Sequence, residues 1–97
     1  MKENEGIIVL VGMGKIALND KTDEEIAKMV QLGDVESFGV LVERYEPKML
    51  RYAQRFLFHK QDTEDQVQEV FLKAYTNIQG FDTKRKFSPW IYLVLLI

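Results

Sequence analysis

The sequence contains no cysteine, so disulfides and thiolate metal sites are excluded. A single histidine, His59, cannot build a metal site alone. Charge of neither sign dominates: 13 basic and 15 acidic residues leave a net charge of −2. A protein that held DNA through bulk charge would be basic, so any nucleic-acid role must rest on a local patch or on a partner that supplies charge. Long hydrophobic runs are missing too. Residues 7–11 and 90–97 are apolar, but a spanning helix needs ~18–20 such residues. Glu3 and Glu5 stand where a signal peptide carries positive charge, and the chain is expected to be cytoplasmic, with no membrane partner. Gly12-Met13-Gly14-Lys15 hints at a phosphate loop without its full spacing or its Ser/Thr. An irregular N-terminal extension over residues 1–21 is the expectation there. What remains is a 97-residue chain, 46% hydrophobic and 29% charged, enough for one small domain over residues 22–97.

Past residue 21 the pattern is helical throughout, with no strand periodicity. Thr22-Asp23-Glu24-Glu25 spells a capping box and opens a helix near 22–32, with Ile26, Met29 and Val30 on one stripe and Gly33 as a left-handed stop. Asp34 is the expected cap of a second helix near 35–58. Its apolar positions Phe38, Leu41, Val42, Tyr45, Met49, Tyr52, Ala53 and Phe56 recur at threes and fours. Pro47 falls inside it, and since the stripe keeps phase across the proline, a kink is expected rather than a break. Asp62 is the expected cap of a third helix near 63–79, with Val67, Val70, Phe71, Ala74, Tyr75 and Ile78 buried and Gly80 ending it. Ser88-Pro89 reads as cap and first helical residue of a fourth, near 88–97. Short connections favour an all-α, compact bundle of three to four helices.

Three surfaces stand out. Asp65, Gln68 and Glu69 share one side of the third helix, continued by Leu72. This is either a face for a basic partner or a solvated helix face. Arg44, Lys48, Arg51 and Arg55 form a basic stripe, to be read either as a phosphate-facing surface or as a solvated one in which Arg44 and Lys48 pair with Glu43 or Glu46. Between the third and fourth helices, Lys84, Arg85 and Lys86 are flanked by Phe81, Phe87, Trp90 and Tyr92. Cations neutralise phosphates and rings accept unstacked bases, the combination single-stranded DNA requires. The competing reading makes Phe81, Phe87 and Trp90 core anchors. No catalytic constellation is visible, so the chain is not expected to be an enzyme and no cofactor is implied.

These segments, in this order, resemble region 2 of bacterial sigma factors of the extracytoplasmic-function (ECF) group, in the sigma-70 superfamily. The resemblance rests on Thr22-Asp23-Glu24-Glu25-Ile26, Gly33-Asp34-Val35-Glu36-Ser37-Phe38 and Tyr45-Glu46-Pro47-Lys48-Met49-Leu50-Arg51-Tyr52-Ala53. Asp62-Thr63-Glu64-Asp65-Gln66-Val67-Gln68-Glu69-Val70-Phe71-Leu72-Lys73-Ala74 and Phe81-Asp82 through Phe87-Ser88-Pro89-Trp90-Ile91-Tyr92 complete it. It covers residues 22 to 92. It implies the sigma region 2 fold, with the third helix on the coiled coil of the RNA polymerase β′ clamp through Asp65, Gln68, Glu69 and Leu72. It also implies that the loop bearing Lys84, Arg85 and Lys86, with Phe87 and Trp90, captures a base flipped from the single-stranded non-template strand of the promoter −10 element. An anti-sigma factor is a further candidate partner. After Tyr92 the family continues with Arg, Ile, Ala and a polar residue; here the residues are Leu93-Val94-Leu95-Leu96-Ile97. The expectation is therefore a region 2 cut before the end of its −10 recognition helix. One hypothesis is a shifted reading frame, since codons for Leu-Val-Leu-Leu-Ile can hold Arg-Ile-Ala-His out of frame; the gene sequence decides it. Such a tail is expected to dock on the bundle, pair with another copy or leave a sticky patch. Two other functions stay open on sequence grounds: an interaction module that occupies polymerase without initiating transcription, and an unrelated helical adaptor.

Overall fold

The computed structural model describes residues 18, 20–56 and 59–96. The Gly12-Met13-Gly14-Lys15 stretch and the apolar residues 7–11 lie outside the described residues. Among the described residues, four α-helices carry the fold: α1 (Asp23–Gln31), α2 (Phe38–Ala53), α3 (Lys60–Asn77) and α4 (Phe87–Leu96), with short 3-10 turns at Val35–Ser37 and Ile78–Gly80. Helix α2 packs on α1 and α3, and α4 on α1 and α3. The fold is the expected all-α bundle. Among the described residues, no helix is long and apolar enough to cross a membrane.

Helix α1 begins and ends as its residues require. The Thr22 hydroxyl accepts the Glu25 N–H at 3.1 Å, and Glu25 Oε1 accepts the Thr22 N–H at 3.0 Å, so two of the helix's orphan donors are satisfied reciprocally. Those hydrogen bonds to Thr22 hold the exposed Glu25 carboxyl below its usual pKa. At the other end the Gly33 N–H donates to Val30 O and the Asp34 N–H to Met29 O, both at 3.0 Å, a Schellman closure with Gly33 at φ +113°. No atom would obstruct a Cβ at Gly33, so Gly33→Ala costs backbone strain alone, about 1–2 kcal/mol. Gly39, inside α2 and equally unobstructed, should instead gain ~0.5–1 kcal/mol on mutation to alanine. Urea unfolding of the two variants checks the contrast, and equal effects of one sign would contradict it.

The other boundaries shift from the sequence expectation. The Asp34 side chain makes no cap bond; a 3-10 turn intervenes and α2 proper begins at Phe38. That helix runs through Pro47 to Ala53 without a break. Phe56 lies beyond it, 64% exposed rather than on the buried stripe, with its ring edge-on to Tyr52 at 5.5 Å. Helix α3 starts at Lys60, with His59 at the cap position and Asp62 inside the first turn rather than capping it; a carboxylate there still suits the helix dipole. Thr63 is buried, its hydroxyl donating to His59 O at 3.1 Å. Helix α4 starts at Phe87, so Ser88 does not precede it and Pro89 is its third residue. Proline is tolerated there because a first-turn N–H has no intrahelical acceptor.

The core joins Ile26, Leu41, Met49, Val67, Val70, Phe87 and Ile91 from all four helices, with Leu18 added ahead of α1. The apolar end of α4 divides between docking and exposure. Trp90, Tyr92, Val94 and Leu95 pack partly on the core, while Leu93 and Leu96 remain 57% and 65% exposed.

Candidate functional site

The basic loop, residues 82–86, connects the 3-10 turn after α3 to α4. It is folded locally: the Arg85 N–H donates to Asp82 O at 2.9 Å, and the Lys84 N–H to Asp82 Oδ1 at 3.0 Å. Asp82 therefore shapes the turn with its own side chain. Its contact with Arg85 Nε, 3.8 Å between two exposed groups, adds little. Lys84, Arg85 and Lys86 all face solvent.

The aromatic residues beside them do not stand ready as a stacking platform. Phe87, expected to contact DNA, is 1% exposed. Its ring meets Tyr45, Phe81 and Trp90 at centroid distances of 5.4, 5.3 and 5.5 Å. Phe81 is buried as well, and meets Trp90 at 5.2 Å. The core-anchor reading is correct for Phe81 and Phe87, because edge-to-face aromatic packing buries more apolar area than an exposed loop ring would. Trp90 is half-buried against that cluster. It is the one ring of the three that is not fully buried.

Two residues that the sequence pattern did not single out bear on the same loop. The Gln31 side-chain amide donates to Ile78 O at 2.7 Å and to Phe81 O at 2.8 Å. Glu24 Oε2 accepts the Phe87 N–H at 2.7 Å. Each was legible only as part of α1; the contacts span 47, 50 and 63 residues of sequence, and no local pattern announces them.

On α3, Asp65, Gln68 and Glu69 are exposed along one side, and Leu72 is 64% exposed. Gln68 and Leu72 also line a groove of about 690 Å³ between α3 and the start of α2, whose apolar walls include Val35, Phe38, Phe71 and Tyr75. Asp65 and Glu69 are not among its lining residues, while Glu36 and Glu46 are. The result is an apolar trough with carboxylates near it. Periodicity could not show the groove, since it arises from the packing of separate helices. Tyr75, assigned to the buried stripe, is 42% exposed here, with its ring edge-on to Phe38 at 5.2 Å.

The basic stripe expected on the second helix is not uniform, and Arg55 falls just past the end of α2. Arg44 Nη1 pairs with Asp23 Oδ1 at 2.7 Å, and Nη2 donates to Leu18 O at 3.2 Å. Its guanidinium serves the packing of α1 on α2. Lys48 lies over the Tyr45 ring at 5.3 Å and Arg55 over the Tyr52 ring at 5.9 Å. Arg51 is exposed.

Comparison with known proteins places this geometry in a family. Residues 41–96 match Sigma-70 region 2, and the chain belongs to that family. It is 40% identical over 67 residues to the ECF RNA polymerase sigma factor SigW of Bacillus subtilis (strain 168), covering 69% of this chain and 36% of that protein. It is 37% identical to the ECF RNA polymerase sigma-E factor of Haemophilus influenzae, covering 75% of this chain and 38% of the relative. It therefore spans well under half the length of these relatives. Among solved structures, an engineered region 2 of sigmaE in complex with GTAAAA aligns with a TM-score of 0.72 at 40% identity, covering 77% of this chain and 78% of the other.

Proposed function

We propose that this chain acts as the region 2 module of a cytoplasmic sigma factor. In that role α3 docks on the β′ clamp coiled coil of core RNA polymerase, and the 82–86 loop meets the single-stranded −10 non-template strand during initiation. The observation that carries the reading is the exposed line of Asp65, Gln68, Glu69 and Leu72 on the 18-residue helix α3, whose opposite side is buried in the core. A rigid helix with carboxylates and an amide outward, beside an apolar groove, suits a basic and partly apolar helical partner. Charge would fix orientation and speed encounter, and Leu72 would supply burial. The cation cluster of Lys84, Arg85 and Lys86 lies in a separate segment, so one module has distinct surfaces for protein and for nucleic acid. With a net charge of −2, the chain would rely on polymerase for most of its DNA affinity. The chemistry asked of it is binding and strand capture, which needs no catalytic group.

The test is binding of the chain to the isolated β′ clamp coiled coil, beside a variant carrying Gln68→Ala and Glu69→Ala. Exposed helix positions of this kind change stability by under ~0.5 kcal/mol, so the variant should fold normally. Its affinity should fall by about 10- to 100-fold, as expected for two central polar contacts. A folded wild-type chain that ignores the clamp would refute the docking reading.

A further inference from the structure

Helix α1 holds the basic loop at both ends. Gln31, its last residue, donates to the carbonyls of Ile78 and Phe81 at 2.7 and 2.8 Å, just before the loop begins. Gln79 Nε2 returns a bond to Gln31 O at 3.1 Å. Glu24, in the first turn of α1, accepts the Phe87 N–H at 2.7 Å, just after the loop ends. The two residues are seven apart on one helix, and a helix brings such positions round to the same side about two turns apart, ~10 Å along its axis.

Each contact answers a need the loop creates. A side-chain amide has two N–H donors, and Gln31 reaches two carbonyls where the helical pattern gives out. The Phe87 N–H opens α4 and has no intrahelical acceptor, and a carboxylate is the favoured partner at a helix N-terminus. Neither residue belongs to the loop that carries the cations. Both act on it through its backbone ends.

We propose that Glu24 and Gln31 are positioning residues for nucleic-acid recognition: with α1 as a splint, they fix the span and direction of the 82–86 loop so that Lys84, Arg85 and Lys86 meet a single strand in one register. The inference rests on the nucleic-acid reading given above and extends it to a helix outside the DNA-facing loop. A loop of cations with free ends would still attract phosphates, since counterion release depends on charge. Discrimination between base sequences needs the loop in one shape, because base contacts are directional.

The experiment compares the wild-type chain with Gln31→Met, Glu24→Met and Glu24→Gln. The methionines keep length without hydrogen bonding, while glutamine at position 24 keeps an acceptor for the Phe87 N–H. Two readouts are taken at matched folded fraction, judged by circular dichroism. The first is hydrogen exchange at the Lys84, Arg85 and Phe87 amides, expected to quicken about tenfold in both methionine variants. The second is the ratio of affinities for single-stranded GTAAAA and hexathymidine at one salt concentration. The wild-type preference should shrink at least ~5-fold in the methionine variants while hexathymidine affinity stays within about twofold, since charge is nearly unchanged. Glu24→Gln should restore both. General destabilisation would lower both affinities together, which the ratio cancels. Glu24→Met and Glu24→Gln differ in the acceptor, so the outcome does not hang on whether Gln31→Met folds. A wild-type preference that survives in both methionine variants overturns the positioning role alone. A wild-type chain that binds both oligonucleotides without preference overturns the positioning role, and one that binds neither overturns the nucleic-acid reading, with which the inference falls.

Discussion

Phe87→Ala is expected to cost ~3–5 kcal/mol of folding stability, the range for removing a buried phenylalanine from a packed core. The side chain is 1% exposed and among the largest that are fully buried. Its ring touches Tyr45 on α2, Phe81 before the loop and Trp90 one turn along α4. Small domains hold only ~5–15 kcal/mol in total, so the loss is a large share, and the urea midpoint should fall by one molar or more at a slope of ~1–3 kcal/mol per molar. Alanine at Lys84, Arg85 or Lys86 should change stability by under ~0.5 kcal/mol while weakening single-stranded DNA binding and flattening its salt dependence by about 0.7 per charge removed. The contrast separates anchor from contact surface. A Phe87→Ala protein with wild-type stability and lost DNA binding would restore the direct base contact that the sequence suggested.

The two roles open to Phe87 show what local sequence leaves undecided. The helices were legible because their signals are local. Thr22 and Glu25 are three residues apart, Gly33 follows the last turn of α1, and the buried stripe of α3 recurs at helical spacing. The outward placement of Asp65, Gln68 and Glu69 follows from the same spacing. Aromatics beside cations carry no such mark: Phe81 and Phe87 could face a base or a core, and only the arrival of Tyr45 from α2 decides it. Arg44 was ambiguous for the same reason. Its place on the basic stripe is a local fact, whereas Asp23, its partner at 2.7 Å, comes from another helix. The helix starts moved because a cap is chosen by backbone geometry as well as side-chain type. Asp34 precedes a 3-10 turn, and Asp62 lies two residues inside α3, which begins at Lys60.

Tyr45, buried where it meets Asp23, should make stability fall at the alkaline end. Asp23 Oδ1 accepts from Arg44 at 2.7 Å, and Oδ2 accepts from the Tyr45 hydroxyl. Asp23→Ala leaves the Tyr45 hydroxyl without its carboxylate acceptor and Arg44 without that counter-charge. The Arg44 and Asp23 side chains are 26% and 23% exposed, so the cost is set below that of a fully buried pair, at about 1–3 kcal/mol. Burial first, then the hydrogen bond and charge of Asp23, push the Tyr45 phenol well above its usual value of 10.0. The folded state therefore favours the protonated phenol more than the unfolded state does. Its contribution is fully present below about pH 10, where the unfolded chain's tyrosine is also protonated, and is lost as pH rises through the folded value. Tyr45→Phe removes that dependence. It should be less stable than wild type by ~1–2 kcal/mol at neutral pH, and the gap should narrow as pH climbs above about 10. Lysine titration is common to both proteins and cancels in the difference. Urea midpoints of the pair, taken at neutral pH and at two points above pH 10, measure it. A gap that stays constant across that range would show that burial and the Asp23 carboxylate together do not hold the Tyr45 phenol protonated in the fold.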